Sequence, residues 1–141
     1  MRRAVGLLGA ASLVPFIALV AVMLVGGGHG VWSAVTVDAF KTWSAITLSF
    51  LGGIRFGLGL RTDKPDNLPV IVLVPAAIGW VALFAPDNIG VAVLLLAQCA
   101  QGAWDSLSAS RGATPSWFGN SRIVWTLLVA AAHIAVFVSI Y

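Results

Sequence analysis

The sequence predicts an all-α protein, a polytopic membrane bundle of five transmembrane helices in a single membrane domain over residues 1–141. Three observations predict it. Of the 141 residues, 60% are hydrophobic and only 9% are charged, against about 25% charged in an ordinary soluble domain, and the mean hydropathy is +0.99. The apolar residues gather into five runs, each close to the roughly 20 residues that a bilayer core requires. Lysine and arginine fall almost entirely on one side of those five runs.

The first run, residues 4–25, is longer than the roughly 7 to 15 residues of a signal-peptide core, so it reads as a retained span despite the basic flank of Arg2 and Arg3. Pro15 lies inside it, where neighbouring helices can satisfy the carbonyl it frees. Gly26, Gly27, Gly28 and Gly30, with His29 among them, end the run. The second span is expected over 38–60 with Asp38 as N-cap, and the polar stretch from Arg61 to Asn67 closes it. The third, 68–85, carries Pro69 in its first turn and Pro75 further in. Pro86-Asp87-Asn88 then makes a tight turn into the fourth, 89–108. The fifth, 120–141, follows a stretch from Ala113 to Gly119 whose Trp117 and Phe118 read as interfacial anchors.

With five spans, Arg2, Arg3, Arg61, Lys64, Arg111 and Arg122 share one side and Lys41 stands on the other. The positive-inside rule places the N-terminus in the cytoplasm and Tyr141 outside. Net charge +3 and the absence of glutamate are thus explained by topology, and no nucleic-acid partner is expected. One cysteine, Cys99, excludes a disulfide framework and a cysteine-based metal site within one chain. P-loop, nucleophile-elbow, HExxH and CxxC motifs are absent. No enzymatic activity, metal or cofactor is expected.

The polar residues inside the spans carry the candidate chemistry. Arg55 precedes Arg61 by six residues, roughly 9 Å along a helix. It either lifts its guanidinium to the headgroups or pairs within the bundle, since an unpaired cation in hydrocarbon costs about 2.5 to 3.5 kcal/mol. Asp105, near the same end of the fourth span, is the expected partner, with Arg111 and Arg122 as competitors. Gln98, Gln101 and Asp105 recur at i, i+3 and i+7 and share one helix face, as glue between helices or as the lining of a cavity open to the cytoplasm. Phe56 and Trp104 are the candidate apolar walls of such a cavity.

Around Arg55, Ser49, Gly53 and Gly57 form a small-residue stripe, and Gly52 and Gly59 form a second strip on the arginine face. Such residues let helices approach closely, so the second helix is expected to pack on two sides, within the chain or in a dimer. His133 is expected as a neutral, hydrogen-bonded histidine, with a proton relay or ligand as the alternative. Trp32, Trp43, Trp104, Trp117 and Trp125 read as an aromatic belt. Trp80, in mid-span, faces either lipid or a ligand.

The run Ile46-Thr47-Leu48-Ser49-Phe50-Leu51-Gly52-Gly53-Ile54-Arg55-Phe56-Gly57 resembles the signature of the transmembrane protein 69 family, a domain of unknown function found in proteobacteria and mitochondria. The resemblance covers nearly the whole chain, including Pro15-Phe16 and the Pro-x-Trp-Phe-x3-Arg pattern from Pro115 to Arg122. Arg55 and Phe56 stand where many relatives have His and Trp. The resemblance implies a polytopic inner-membrane protein and no particular activity. The plan is also similar to that of tryptophan-rich sensory proteins of the translocator family, without their Trp-Pro motifs.

Short loops, no catalytic set and abundant small-residue helix surfaces lead to a non-enzymatic accessory or assembly subunit of a larger membrane complex. The alternative is a carrier or sensor of a lipid, quinone or tetrapyrrole. Its pocket would face the cytoplasm and be lined by Arg55, Gln98, Gln101 and Asp105.

Overall fold

The computed structural model describes residues 2–27, 30–62, 68–112 and 114–141. They form five helices, α1 Arg2–Val25, α2 Val31–Thr62, α3 Leu68–Phe84, α4 Asp87–Ser110 and α5 Ser116–Ile140. Among the described residues there is no strand. Of the polar stretch expected over 61–67, the first two residues belong to α2, and His29 and residues 63–67 lie outside the described residues.

Consecutive helices pack side by side, α5 closes the ring against α1, and α2 and α4 touch across the middle. Two tethers fix the ends. Lys41 donates to Ala85 O at 2.9 Å and to Asp87 Oδ1 at 3.2 Å, so the first half of α2, about three turns in, sits beside the α3–α4 turn. Arg55 reaches Asp105 at the opposite end, joining the late turns of α2 and α4.

Several boundaries differ from those the sequence suggests. α2 begins at Val31, immediately after Gly30 at φ 96°, and Asp38 is an exposed residue two turns inside it. The extra turns hold because Thr36 and Val37 are buried there. α4 starts at Asp87 and runs to Ser110, and α5 starts at Ser116 behind Pro115, whose φ of −59° and ψ of 141° make it the cap. Part of the expected interfacial turn is therefore the first turn of α5.

The core lies where α1, α2, α4 and α5 meet, around Phe16, Phe40, Val91 and Val136, and a smaller cluster of Ala45, Leu48, Ala82 and Leu94 joins α2 to α3 and α4. Close approaches rest on glycine. A Cβ on Gly90 would lie 2.6 Å from Ala82 O and 2.8 Å from Lys41 Cε, and one on Gly102 would overlap the side chain of Thr126. Two of the expected belt tryptophans also pack between helices. Trp43 Nε1 donates to Ser12 O at 3.0 Å, and the Trp125 ring covers Gly9 so closely that a Cβ there would overlap it. Trp32 and Trp80 face outward.

α2 packs against α1, α3 and α4, in keeping with a helix expected to pack on two sides, but the Ser49, Gly53 and Gly57 stripe is not what brings these helices together. Gly52 is buried, but Ser49, Gly53 and Gly57 are exposed, and a Cβ on Gly53 or Gly57 would meet nothing within 4 Å. Close helix packing within this chain uses Gly79, Gly90, Gly102 and Gly119 instead.

Three helices, α1, α2 and α5, are long and apolar enough to cross a membrane, and α3 contributes a shorter apolar stretch, Leu73–Phe84.

Candidate functional site

α4 organises the site because its polar residues at i, i+3 and i+7 all turn inward. Gln98, Gln101 and Asp105 are buried, and each meets a different set of partners. Asp105 Oδ1 accepts from Arg55 Nη2 at 2.7 Å and from Gln101 Nε2 at 3.4 Å. Its Oδ2 accepts from Arg122 Nε at 3.0 Å. Two guanidiniums from α2 and α5 thus share one carboxylate on α4. Arg122, which the sequence counts with the basic flank, is only 7% exposed.

Arg55 is held from several directions. Its Nη2 also donates to Ser108 Oγ at 3.1 Å, and its guanidinium carbon lies 5.0 Å from the Trp104 ring centre, within cation–π range. Its Nε is buried and has no hydrogen-bond partner among the described residues. Of the two sequence alternatives, the geometry is that of pairing within the bundle.

Gln98 serves a second polar cluster, near mid-bundle. Its Nε2 donates to Ser44 O at 3.0 Å, to Thr47 Oγ1 at 3.0 Å and to Ser44 Oγ at 3.3 Å. His133 Nδ1 lies 2.7 Å from Val129 O, which can only accept, so Nδ1 carries the proton. In the neutral ring Nε2 then accepts from Ser44 Oγ, at 2.8 Å. The imidazole is fully buried against Phe16 and Phe40, with the Phe40 ring centre 4.7 Å away. This arrangement ties α2, α4 and α5 together and matches the hydrogen-bonded reading of His133. Ser44 is the residue that sequence reasoning missed, since a serine in an apolar run carries no signal until its partners across the bundle are known.

Two cavities flank α2. The larger, about 280 Å³, lies between α2, α3 and α4, with Arg55, Gln101 and Trp104 at one end and Leu48, Ile78 and Ala97 towards the other. The smaller, about 190 Å³, lies mainly between α1, α2 and α5, and Gln98 and Arg122 line it. Arg55, Gln101 and Trp104 therefore come together as expected, Gln98 belongs to the other cavity, and Asp105 acts from behind Arg55. Phe56 lines neither cavity and is 42% exposed, so it is no wall of either. Among the described residues no group of three or more His, Cys, Asp or Glu could hold a metal ion.

The family described as Protein of unknown function (DUF3429) matches residues 1–138. This chain belongs to the DUF3429 family. Among curated proteins it is similar to Transmembrane protein 69 of Xenopus tropicalis, 32% identical over 125 residues that make up 86% of this chain and 48% of that protein. The chain spans about half the length of the curated relative it matches. No solved structure matches this DUF3429 chain. Together with the three long apolar helices, the relationship makes it a membrane protein of the transmembrane protein 69 type, as the Ile46–Gly57 motif implies.

Proposed function

We propose that this DUF3429 protein holds an anionic amphiphile, a single acyl chain with an acidic head, in the cavity at Arg55, and carries or senses it without catalysing a reaction. The observation that supports this reading is the position of Arg55: a cation with a buried, unpartnered Nε at one end of an otherwise apolar slot. From Leu48 to Arg55 the slot follows α2 for seven residues, roughly 10 Å. Among the described residues, Asp105 is the one acid at this end of the bundle, and it already serves both Arg55 and Arg122. One positive charge is left over, and an acidic headgroup would neutralise it where water is scarce.

Five spans, a cytoplasmic N-terminus and an inner-membrane location belong to the same proposal. α3 has 17 residues, about 26 Å, close to the hydrocarbon thickness. α4 has 24 residues and turns Gln98, Gln101 and Asp105 inward, so lipid would meet its apolar side. The slot's charged end then lies near the basic face and its apolar end near the membrane centre, the direction of a lipid in that leaflet. Cysteine labelling from either side of sealed vesicles tests the topology.

For the ligand, native mass spectrometry of the full chain in mild detergent, with dodecyl phosphate, laurate and uncharged dodecanol as probes, provides the test. Retention of the two anions, rejection of dodecanol and loss of binding in Arg55→Leu are expected. Equal retention of dodecanol, or an Arg55→Leu protein that binds like wild type, would sink the reading. Extraction of the protein as purified then separates the two sources of such a head, a free fatty acid or a lysophospholipid.

A second reading, an accessory or assembly subunit of a larger membrane complex, is favoured by a different observation. The Ser49, Gly53 and Gly57 stripe is open on the outside of α2, and a helix of a partner membrane protein could approach closely there.

A further inference from the structure

The two cavities stand on neighbouring faces of one helix. Leu48 and Arg55 line the larger, while Thr47, Leu51 and Ile54 line the smaller, residues one position apart and so about 100° apart around α2. From Thr47 to Ile54 the smaller slot also runs roughly 10 Å along the helix. Phe16, Phe50 and Trp125 are among its walls, and among the described residues Arg122 is the one cation that lines it. Each slot thus has one arginine, and the two arginines hold opposite oxygens of the same carboxylate.

We infer that the smaller cavity is a second site for the same class of anionic amphiphile, with Arg122 as its headgroup ligand, and that Asp105 allows an anion in only one of the two slots at a time. The second site stands on its own residues; the exclusivity rests on the proposed site at Arg55. The charge count supplies the reason. Arg55, Arg122 and Asp105 together carry one surplus positive charge, and one bound anion cancels it. A second anion would leave the cluster with a net negative charge among apolar walls, and burying an uncompensated charge is costly. When the anion sits at Arg55, Asp105 remains with Arg122, and the converse arrangement serves the other slot. Transfer between the slots then needs the carboxylate to change its main partner, not to leave the cluster.

Counting bound dodecyl phosphate on the full chain by native mass spectrometry tests this, with dodecanol as the uncharged control. Wild type should bind one anion. Asp105→Asn keeps the shape but removes the negative charge, leaving both arginines uncompensated, and should bind two. Ala97→Phe fills the larger slot and Leu51→Trp the smaller, so each alone should still bind one anion and the two together none. Ala100→Phe and Ile54→Trp address the same slots if either first choice does not fold. Loss of all binding in the Ala97→Phe protein would overturn the second site and leave the site at Arg55 standing. Loss of all binding in the Leu51→Trp protein alone would overturn the site at Arg55 and leave the second standing. A count of two in wild type, or of one in Asp105→Asn, would overturn the exclusivity. Retention by the doubly filled protein would overturn both sites.

Discussion

Removing Asp105 and removing Arg55 should have unequal effects, because the carboxylate has two arginine partners and each arginine has one. In Asp105→Ala, Arg55 and Arg122 lose the acid they share. Their bonded nitrogens lie on opposite oxygens of one carboxylate, roughly 8 Å apart at most. At that separation and an effective dielectric of 20, two cations repel by about 2 kcal/mol. Breaking a buried pair costs about 3 to 5 kcal/mol, and this repulsion places Asp105→Ala at the upper end. In Arg55→Ala the carboxylate keeps Arg122 at 3.0 Å and Gln101 at 3.4 Å. The loss is then that of one charged hydrogen bond, about 1.5 to 3 kcal/mol.

The Asp105 variant should therefore be less stable than the Arg55 variant by about 2 kcal/mol. The Arg55→Ala, Asp105→Ala cycle should show a coupling of about 0.5 kcal/mol or more. Exchanging the two charges should rescue nothing, because an arginine at position 105 would face Arg122. Equilibrium unfolding in an uncharged mild detergent, titrated with guanidinium chloride and followed by far-ultraviolet circular dichroism, gives all the values. Equal losses for the two single variants, or rescue by the exchange, would show that Arg122 is not a partner of comparable weight and refute the shared-carboxylate reasoning.

The same titration should separate the glycines. Gly90→Ala, whose Cβ would crowd the Ala82 carbonyl and Lys41, should cost about 1 to 3 kcal/mol. Gly53→Ala, in open space, should be neutral or stabilising by up to about 1 kcal/mol, and a loss above 1 kcal/mol would contradict the open placement. His133→Ala removes a ring packed on Phe16 and Phe40 and the acceptor for Ser44. It should cost about 2 to 5 kcal/mol, and a loss below 1 kcal/mol would show that the cluster does not tie the helices. Gly53→Leu with Gly57→Leu should preserve the fold and abolish copurification of any stoichiometric membrane partner. A partner retained by that protein would remove the support for an accessory role through α2.

How far the sequence could be read depended on which residues reveal the direction a helix faces. In a water-soluble bundle the apolar stripe marks the inner face, but a chain in lipid is apolar on both faces. α1 and α3 accordingly carry apolar side chains all round, and Leu7, Ile17, Leu73 and Trp80 are exposed. Only polar residues disclosed a facing direction there. The spacing of Gln98, Gln101 and Asp105 gave α4 its inner face, and the expectation that the second and fourth spans end on the same side put Arg55 and Asp105 at similar depth. Arg122 was legible only as one of two competitors for Asp105, because its position in the sequence is that of a flanking charge, and the structure shows it sharing the carboxylate with Arg55. The α2 glycines lie on both faces, so composition alone could not tell that Gly52 is covered while Gly53 and Gly57 are open.

The packing role of two tryptophans went unread for a related reason. Trp43 and Trp125 lie near expected helix ends, where belts form, yet the Trp43 N–H meets Ser12 O and the Trp125 ring lies on Gly9. What decides such cases is a gap on the facing helix, and a glycine marks a gap only once its neighbour is known. The consequence reaches the site itself. Trp125 is also a wall of the smaller cavity, so Gly9 helps to shape the space in front of Arg122 by fixing that ring. Gly9→Ala should move the ring and weaken dodecyl phosphate binding in the smaller slot while leaving the larger slot unchanged. Read in the Ala97→Phe background, where only the smaller slot remains open, that change should appear as lost retention. Retention undiminished there would mean that the ring position does not shape the slot.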